Sequence, residues 1–181
     1  MSSKKLKIVL FGNSVFRQKA KPVTVFHKKL HLLIDSIANT LAAEENSAAL
    51  AANQVDILKR IVVVNYLNEY IELINPEIME ASGKQTDYEG CLSFPGYIGK
   101  VSRANFVKVK YLDRFGKEHI IEREGKLARC LQHEIDHLDG VLFIDHVEEK
   151  YLYHSETDEE KSLQEVSELA NGKEKTVKEN E

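Results

Sequence analysis

Cysteine is scarce in this chain: two residues among 181, in unrelated contexts, cannot form the disulfide framework of a small secreted domain. Long apolar runs are also missing, and no stretch is long enough to read as a membrane-spanning helix. Near the N-terminus, Ile8-Val-Leu-Phe11 follows Lys4 and Lys5. It is too short for a secretory signal core and breaks at Gly12-Asn-Ser14. Positive charge is not in excess, since 25 Lys and Arg face 29 Asp and Glu for a formal net charge of -4. That balance gives no drive toward nonspecific binding of nucleic acid, and no direct specific nucleic-acid binding is expected. No internal repeat is visible. Together these absences lead to the expectation of a cytoplasmic protein with no membrane association.

What is present suits one folded domain, because 43% hydrophobic residues over this length can build a substantial core. Leu30, Leu32, Leu33, Ile34, Ile37, Leu41 and Ala42 form a broad stripe that predicts a helix over 27–45. Residues 60–65 and 70–75 are β-rich runs, and Phe106-Val-Lys-Val-Lys-Tyr111 alternates as a half-buried strand should. Asp113-Arg-Phe-Gly-Lys117 reads as a turn before a further run at 118–123. A helix is expected from near Gly125 to near Gly140, the terminal glycine suiting a C-cap. Strands cluster ahead of that helix, so the predicted class is α+β, a single domain with mixed or antiparallel sheets around a central helix. The expected organisation is a catalytic domain over 1–147, a helical extension over 148–170 and a disordered tail over 171–181. The extension rests on helical spacing of Leu163, Val166 and Leu169, the tail on a lysine and glutamate mixture with little to bury.

The chemistry concentrates in Cys130-Leu-Gln-His-Glu-Ile-Asp-His-Leu-Asp-Gly140. On a helix, His133 and His137 lie one turn apart on the same face and can reach one cation, while Glu134 is placed to act on water rather than to ligate. Catalytic metal sites typically take three protein ligands and leave one position open. Within Asp87-Tyr-Glu-Gly-Cys-Leu-Ser-Phe-Pro-Gly96, turn-forming residues surround Cys91, which is the best third ligand. Cys130 falls near the same helical face as His133; it is read as a small buried residue that lines a pocket, not as a ligand.

Here the chain resembles the peptide deformylases. Ser47-Ala-Ala-Leu-Ala-Ala-Asn-Gln54, Glu89-Gly-Cys-Leu-Ser93 and His133-Glu-Ile-Asp-His137 match three separated motifs of that family in order, and the resemblance covers roughly residues 5–150. Phe94-Pro95-Gly96 and the polar C-terminal extension look like the bacterial type 1 branch. The resemblance implies hydrolysis of the formamide on N-formyl-methionyl nascent peptides, releasing formate. It makes Cys91, His133 and His137 the ligands of one divalent metal ion, Fe²⁺ by implication, with Zn²⁺, Ni²⁺ or Co²⁺ able to replace it. Glu134 becomes the general base and acid, with the Gln54 side-chain amide and the Leu92 backbone N–H as donors to the oxyanion. Ser47, Ala48, Ala49, Leu50, Glu89, Gly90 and Cys130 are expected to line the substrate site. The ribosome is a further possible partner.

The first motif departs from the family, which usually has glycine where Ser47 and Ala49 stand. If those backbones need positive φ or close approach, activity is altered; if φ is ordinary, the substitutions are tolerated. Two other functions remain open at this point. One is a zinc peptidase with Glu156 or Glu159 as third ligand, and the other a noncatalytic deformylase-like protein that binds peptide or ribosome through an altered cleft.

Overall fold

The computed structural model describes residues 3–45 and 47–166. Within them, a five-stranded antiparallel sheet runs in the order β1 (Ala49–Ala51), β2 (Ile61–Tyr66), β3 (Glu69–Ser82), β6 (Phe106–Leu112) and β7 (Glu118–Glu124). Its strand β2 begins with four consecutive buried aliphatics, as a strand covered on both faces must. Val62 and Val64 join Leu73, Val107 and Val109 against helix α2 (Gly125–Leu138). Ile61, Val63, Ile74 and Leu50 instead meet Leu30, Ile34, Ile37 and Leu41 of helix α1 (Lys28–Ala42). The β2–β3 hairpin turns on Leu67 and Asn68, both at positive φ, which matches the twist of the flanking strands.

A second antiparallel sheet has the order β4 (Gln85–Cys91), β5 (Phe94–Arg103), β8 (Tyr151–His154) and β9 (Glu160–Ser162). Its inner face packs Phe94, Val101 and Leu152 with Phe16, Phe143 and Val147. Both sheets are antiparallel throughout, within the α+β class the sequence predicts. The expected helical extension over 148–170 is corrected: its first half is strand, and helix begins only at residue 163. Tyr151-Leu-Tyr-His154 has the period of two of a strand and buries Leu152 completely; the acidic turn that follows hides this in the composition. Gly99 makes room for β8, because a Cβ there would lie 2.7 Å from side-chain atoms of Leu152 and Val147. The folded unit therefore continues past residue 147. Leu169 and the tail over 171–181 lie outside the described residues.

Helix α2 is buried on nearly every side, with Leu127, Leu131 and Leu138 toward the large sheet and His133, Glu134 and His137 also enclosed. Its end is fixed by Gly140 at φ +77°, where the Gly140 N–H donates to the His137 carbonyl and the Val141 N–H to the Asp136 carbonyl. This pair of bonds satisfies the last carbonyls and stops the helix where the predicted C-cap places it. A Cβ at Gly140 would also lie 3.1 Å from the Arg17 backbone, so the glycine allows the N-terminal segment to close over the helix end.

Candidate metal centre

The side chains of Cys91, His133 and His137 converge, with ligand atoms all within 4.8 Å of one another. Helix periodicity supplies the two imidazoles from α2, and the β4–β5 hairpin supplies the thiol from the end of β4. Cys91 Sγ is 3.3 Å from His137 Nε2, while His133 Nδ1 is 3.1 Å from Glu89 Oε2, which leaves His133 Nε2 free to ligate. A carboxylate on the far nitrogen of a ligand histidine fixes its tautomer and ring orientation. Burial pushes the His137 pKa well below its ordinary value, so this ring is a neutral donor. Burial also opposes charge on His133, but hydrogen bonds to Cys91 and Glu89 outweigh it and lift the pKa to about 10. A cation must displace that proton on binding.

Glu134 follows His133 on the helix and is buried, and its Oε2 has no hydrogen-bond partner among the described residues. Burial raises its pKa from 4.5 to about 7, with His133 and Arg103 offsetting part of the rise. Gln54 sits in a short 3-10 turn after β1 and is buried. Its Oε1 accepts from the Ala51 N–H at 2.8 Å, which turns Nε2 toward Cys91 Sγ and Ser93 Oγ, each 3.4 Å away. Leu92 occupies the two-residue turn between Cys91 and Phe94, so its backbone borders the thiol.

The remaining expected site residues divide. Ala48, Ala49 and Leu50 lie at or in β1, where the Ala48 carbonyl accepts from Asn65 N–H and Ala49 pairs with Val64. Ala49 does not have positive φ; its methyl packs in the core between the large sheet and α2. Ser47 donates its hydroxyl to the Glu44 carbonyl at 2.8 Å just beyond α1. Gly90 lies in β4, where a Cβ would come within 3.3 Å of Ile98. Burial and the nearby Glu134 and Glu89 carboxylates hold the Cys130 thiol well above its ordinary pKa, and among the described residues this partly buried sulfur is not one of the converging ligand atoms. Glu89, also expected to line the substrate site, bonds the far nitrogen of His133. It faces His133, Arg103 and Arg129 because alternation along β4 turns it inward with Cys91. Burial alone would raise its pKa, but hydrogen bonds from His133 and Arg103 hold it far below the usual carboxylate range.

Sequence reasoning missed Arg103, Arg129 and Ser93. Arg129 could have been found, since it lies four residues before His133 on the same helical face. Arg103 could not, because only the fold of β5 brings it to Glu89. Glu156 and Glu159 are exposed in the segment joining β8 and β9 and do not belong to the cluster, so the peptidase reading loses its third ligand.

The donors fit a divalent cation: one thiolate and two imidazoles leave a coordination position open, and a buried carboxylate oxygen beside them has no partner among the described residues. A closed structural site would need a fourth ligand, so the class defined is a catalytic metallohydrolase. Residues 5–152 match the polypeptide deformylase family model. The chain is 52% identical over 134 residues to the peptide deformylase of Thermoanaerobacter pseudethanolicus, covering 74% of this chain and 84% of that protein. It is 48% identical over 147 residues to peptide deformylase 1 of Bacillus subtilis, covering 80% and 91%. Among solved structures, the Thermotoga maritima peptide deformylase superposes with a TM-score of 0.77 at 40% identity, covering 79% of this chain and 97% of that one. A Synechococcus elongatus peptide deformylase in complex with actinonin gives a TM-score of 0.76 at 38% identity, covering 82% and 84%. The chain belongs to the polypeptide deformylase family, and its activity is the metal-dependent hydrolysis of a peptide deformylase.

Proposed function

We propose that this chain removes the formyl group from N-formyl-methionyl polypeptides, giving formate and a free N-terminal amine. The observation that carries the proposal is the convergence of Cys91, His133 and His137 beside Glu134, whose buried Oε2 has no partner among the described residues. A cation held by the three ligands would supply Lewis acidity and lower the pKa of water toward neutrality. Glu134 accepts the proton of that water and returns it to the departing amine, a double role that suits a pKa near the working pH. Negative charge develops on the former carbonyl oxygen, where the Gln54 Nε2 and the Leu92 N–H serve as donors. The bond from Ala51 N–H to Gln54 Oε1 sets the amide with its nitrogen toward the thiol before substrate arrives, so no reorganisation is needed during reaction.

Topology supports an extended peptide as substrate. Both β1 and β4 are the outer strands of their sheets, and each leads directly to the cluster, at Gln54 and Cys91. An edge strand offers backbone donors and acceptors to an added strand. Iron is proposed as the cellular metal on the family resemblance, with zinc, nickel or cobalt as substitutes, and the cytoplasm as the site of action. The same resemblance alone supports the ribosome as a docking partner. Among the described residues, no helix is long and apolar enough to cross a membrane.

The test is anaerobic purification with metal analysis, followed by formate release from formyl-Met peptides beside unformylated controls. Formate release that tracks metal content is expected. A metal-loaded protein that binds peptide without releasing formate would favour the noncatalytic alternative.

A further inference from the structure

We infer that Arg103 is a positioning residue for the metal centre, setting the orientation of the His133 imidazole through Glu89 while anchored to α2 through Asp136. Arg103 Nε and Nη2 fork onto the two oxygens of Glu89 at 2.6 and 3.0 Å, and Nη1 reaches Asp136 Oδ2 at 2.6 Å. Glu89 Oε2 in turn meets His133 Nδ1 at 3.1 Å. The chain of contacts joins three elements: β5 carries the arginine, β4 carries Glu89 with the ligand Cys91, and α2 carries Asp136 with both ligand histidines. Arg103 and Glu89 side chains are each only 4% exposed, so the fork works in a low-dielectric setting. The outer end reaches water. Asp136 Oδ2 also meets His146 Nε2 at 2.9 Å, on the wall of a surface depression of about 440 Å³ that Lys84 and Ser102 help to line.

A simpler role would be to neutralise buried Glu89, and the structure separates the two. Arg129 Nη1 already bonds Glu89 Oε1 at 2.6 Å, so a positive charge on this carboxylate does not depend on Arg103. Arg129, itself on α2, reaches only one Glu89 oxygen; what it does not provide is the planar fork that fixes both. A lysine at 103 would keep the charge but could not reproduce that geometry. Partners behind ligand histidines typically contribute tenfold to a hundredfold in metal affinity or activity.

The inference rests on Cys91, His133 and His137 being the metal ligands, and the experiment distinguishes its failure from failure of that assignment. Cobalt-loaded wild type, Arg103→Lys and Arg103→Gln are compared by visible absorption and by the rate of cobalt release to a chelator. Activity of the iron forms is measured alongside. Release about tenfold faster in the lysine variant, and faster still in the glutamine variant, is expected with an altered cobalt spectrum. A lowered kcat at unchanged KM should accompany it, with the lysine variant recovering part of the loss. Wild-type spectra and release rates in both variants would overturn the inference while leaving the metal assignment intact. A wild type that binds no cobalt would overturn both. If the glutamine variant does not fold, the lysine variant decides. Should neither fold, Arg103 is a folding element and the positioning role is refuted.

Discussion

Replacing Glu134 by Gln keeps the side chain's size while removing its charge and its proton-accepting oxygen. Burial lifts the carboxyl from 4.5 to about 7, which makes a prediction about stability in chelator-treated protein, separate from catalysis. Between those two values the folded protein holds a proton that the unfolded chain has released. The corresponding stability is fully present below about pH 4.5 and is lost as pH rises through about 7. The separation corresponds to about 3 kcal/mol at about 1.4 kcal/mol per pKa unit. Glutamine has no charge to desolvate. Urea titrations of metal-free wild type and Glu134→Gln should therefore differ little below about pH 4.5, while above about pH 7 the variant should be the more stable by about 3 kcal/mol. A difference that stays constant with pH would refute the assignment of the raised pKa to Glu134. In the metal-loaded enzyme the same substitution should keep the metal, because no ligand is touched, and lower kcat by roughly a thousandfold, within the range for loss of a general base. Near wild-type hydrolysis across pH would show that another group moves the proton.

Cys91→Ala should lose the metal and activity together while Glu134→Gln keeps the metal, a contrast that metal analysis of the two purified proteins checks directly. Ending the chain at residue 149 should destabilise it by roughly 3 kcal/mol or more, because Leu152 of β8 is fully buried against Gly99 of β5; thermal unfolding reads the loss. Removing only 172–181 should leave folding, metal content and turnover of small formyl peptides unchanged, and a large drop in turnover would contradict this. Ala49→Gly should lower stability by about 1 kcal/mol without raising kcat/KM, since the methyl packs in the core and the backbone is ordinary strand. A tenfold rise in kcat/KM would show that the methyl obstructs the cleft after all.

The legible parts of the site are those whose geometry is local. His133, Glu134 and His137 share one helix, so residue spacing alone sets two ligands on one face and the carboxylate beside them. The end of that helix is equally local, because Gly140 makes bonds that depend only on the preceding turn. Cys91 was legible in identity but not in setting. Read as part of a loop, it ends a strand whose members Gln85, Asp87, Glu89 and Cys91 share one face; polar residues on that face conceal the period of two. The same concealment explains Glu89. With β4 unrecognised as a strand, nothing in the sequence indicated that it turns inward with Cys91 toward α2.

Arg103 marks the limit of local reasoning. The register of β5 against β4, with Arg103 opposite Gln85, and the packing of α2 across both decide which carboxylates its guanidinium meets. Asp136 shows the opposite relation between pattern and role: it lies inside the most recognisable motif of the chain, yet its partners, Arg103 and His146, come from outside that motif. A motif match therefore accounts for the ligands and the base but not for what aims them. By this argument, a chain that kept all three motifs and lost the Arg103 fork would retain every reacting group while holding His133 less firmly. Its deficit would first appear in metal release, before any change in peptide binding.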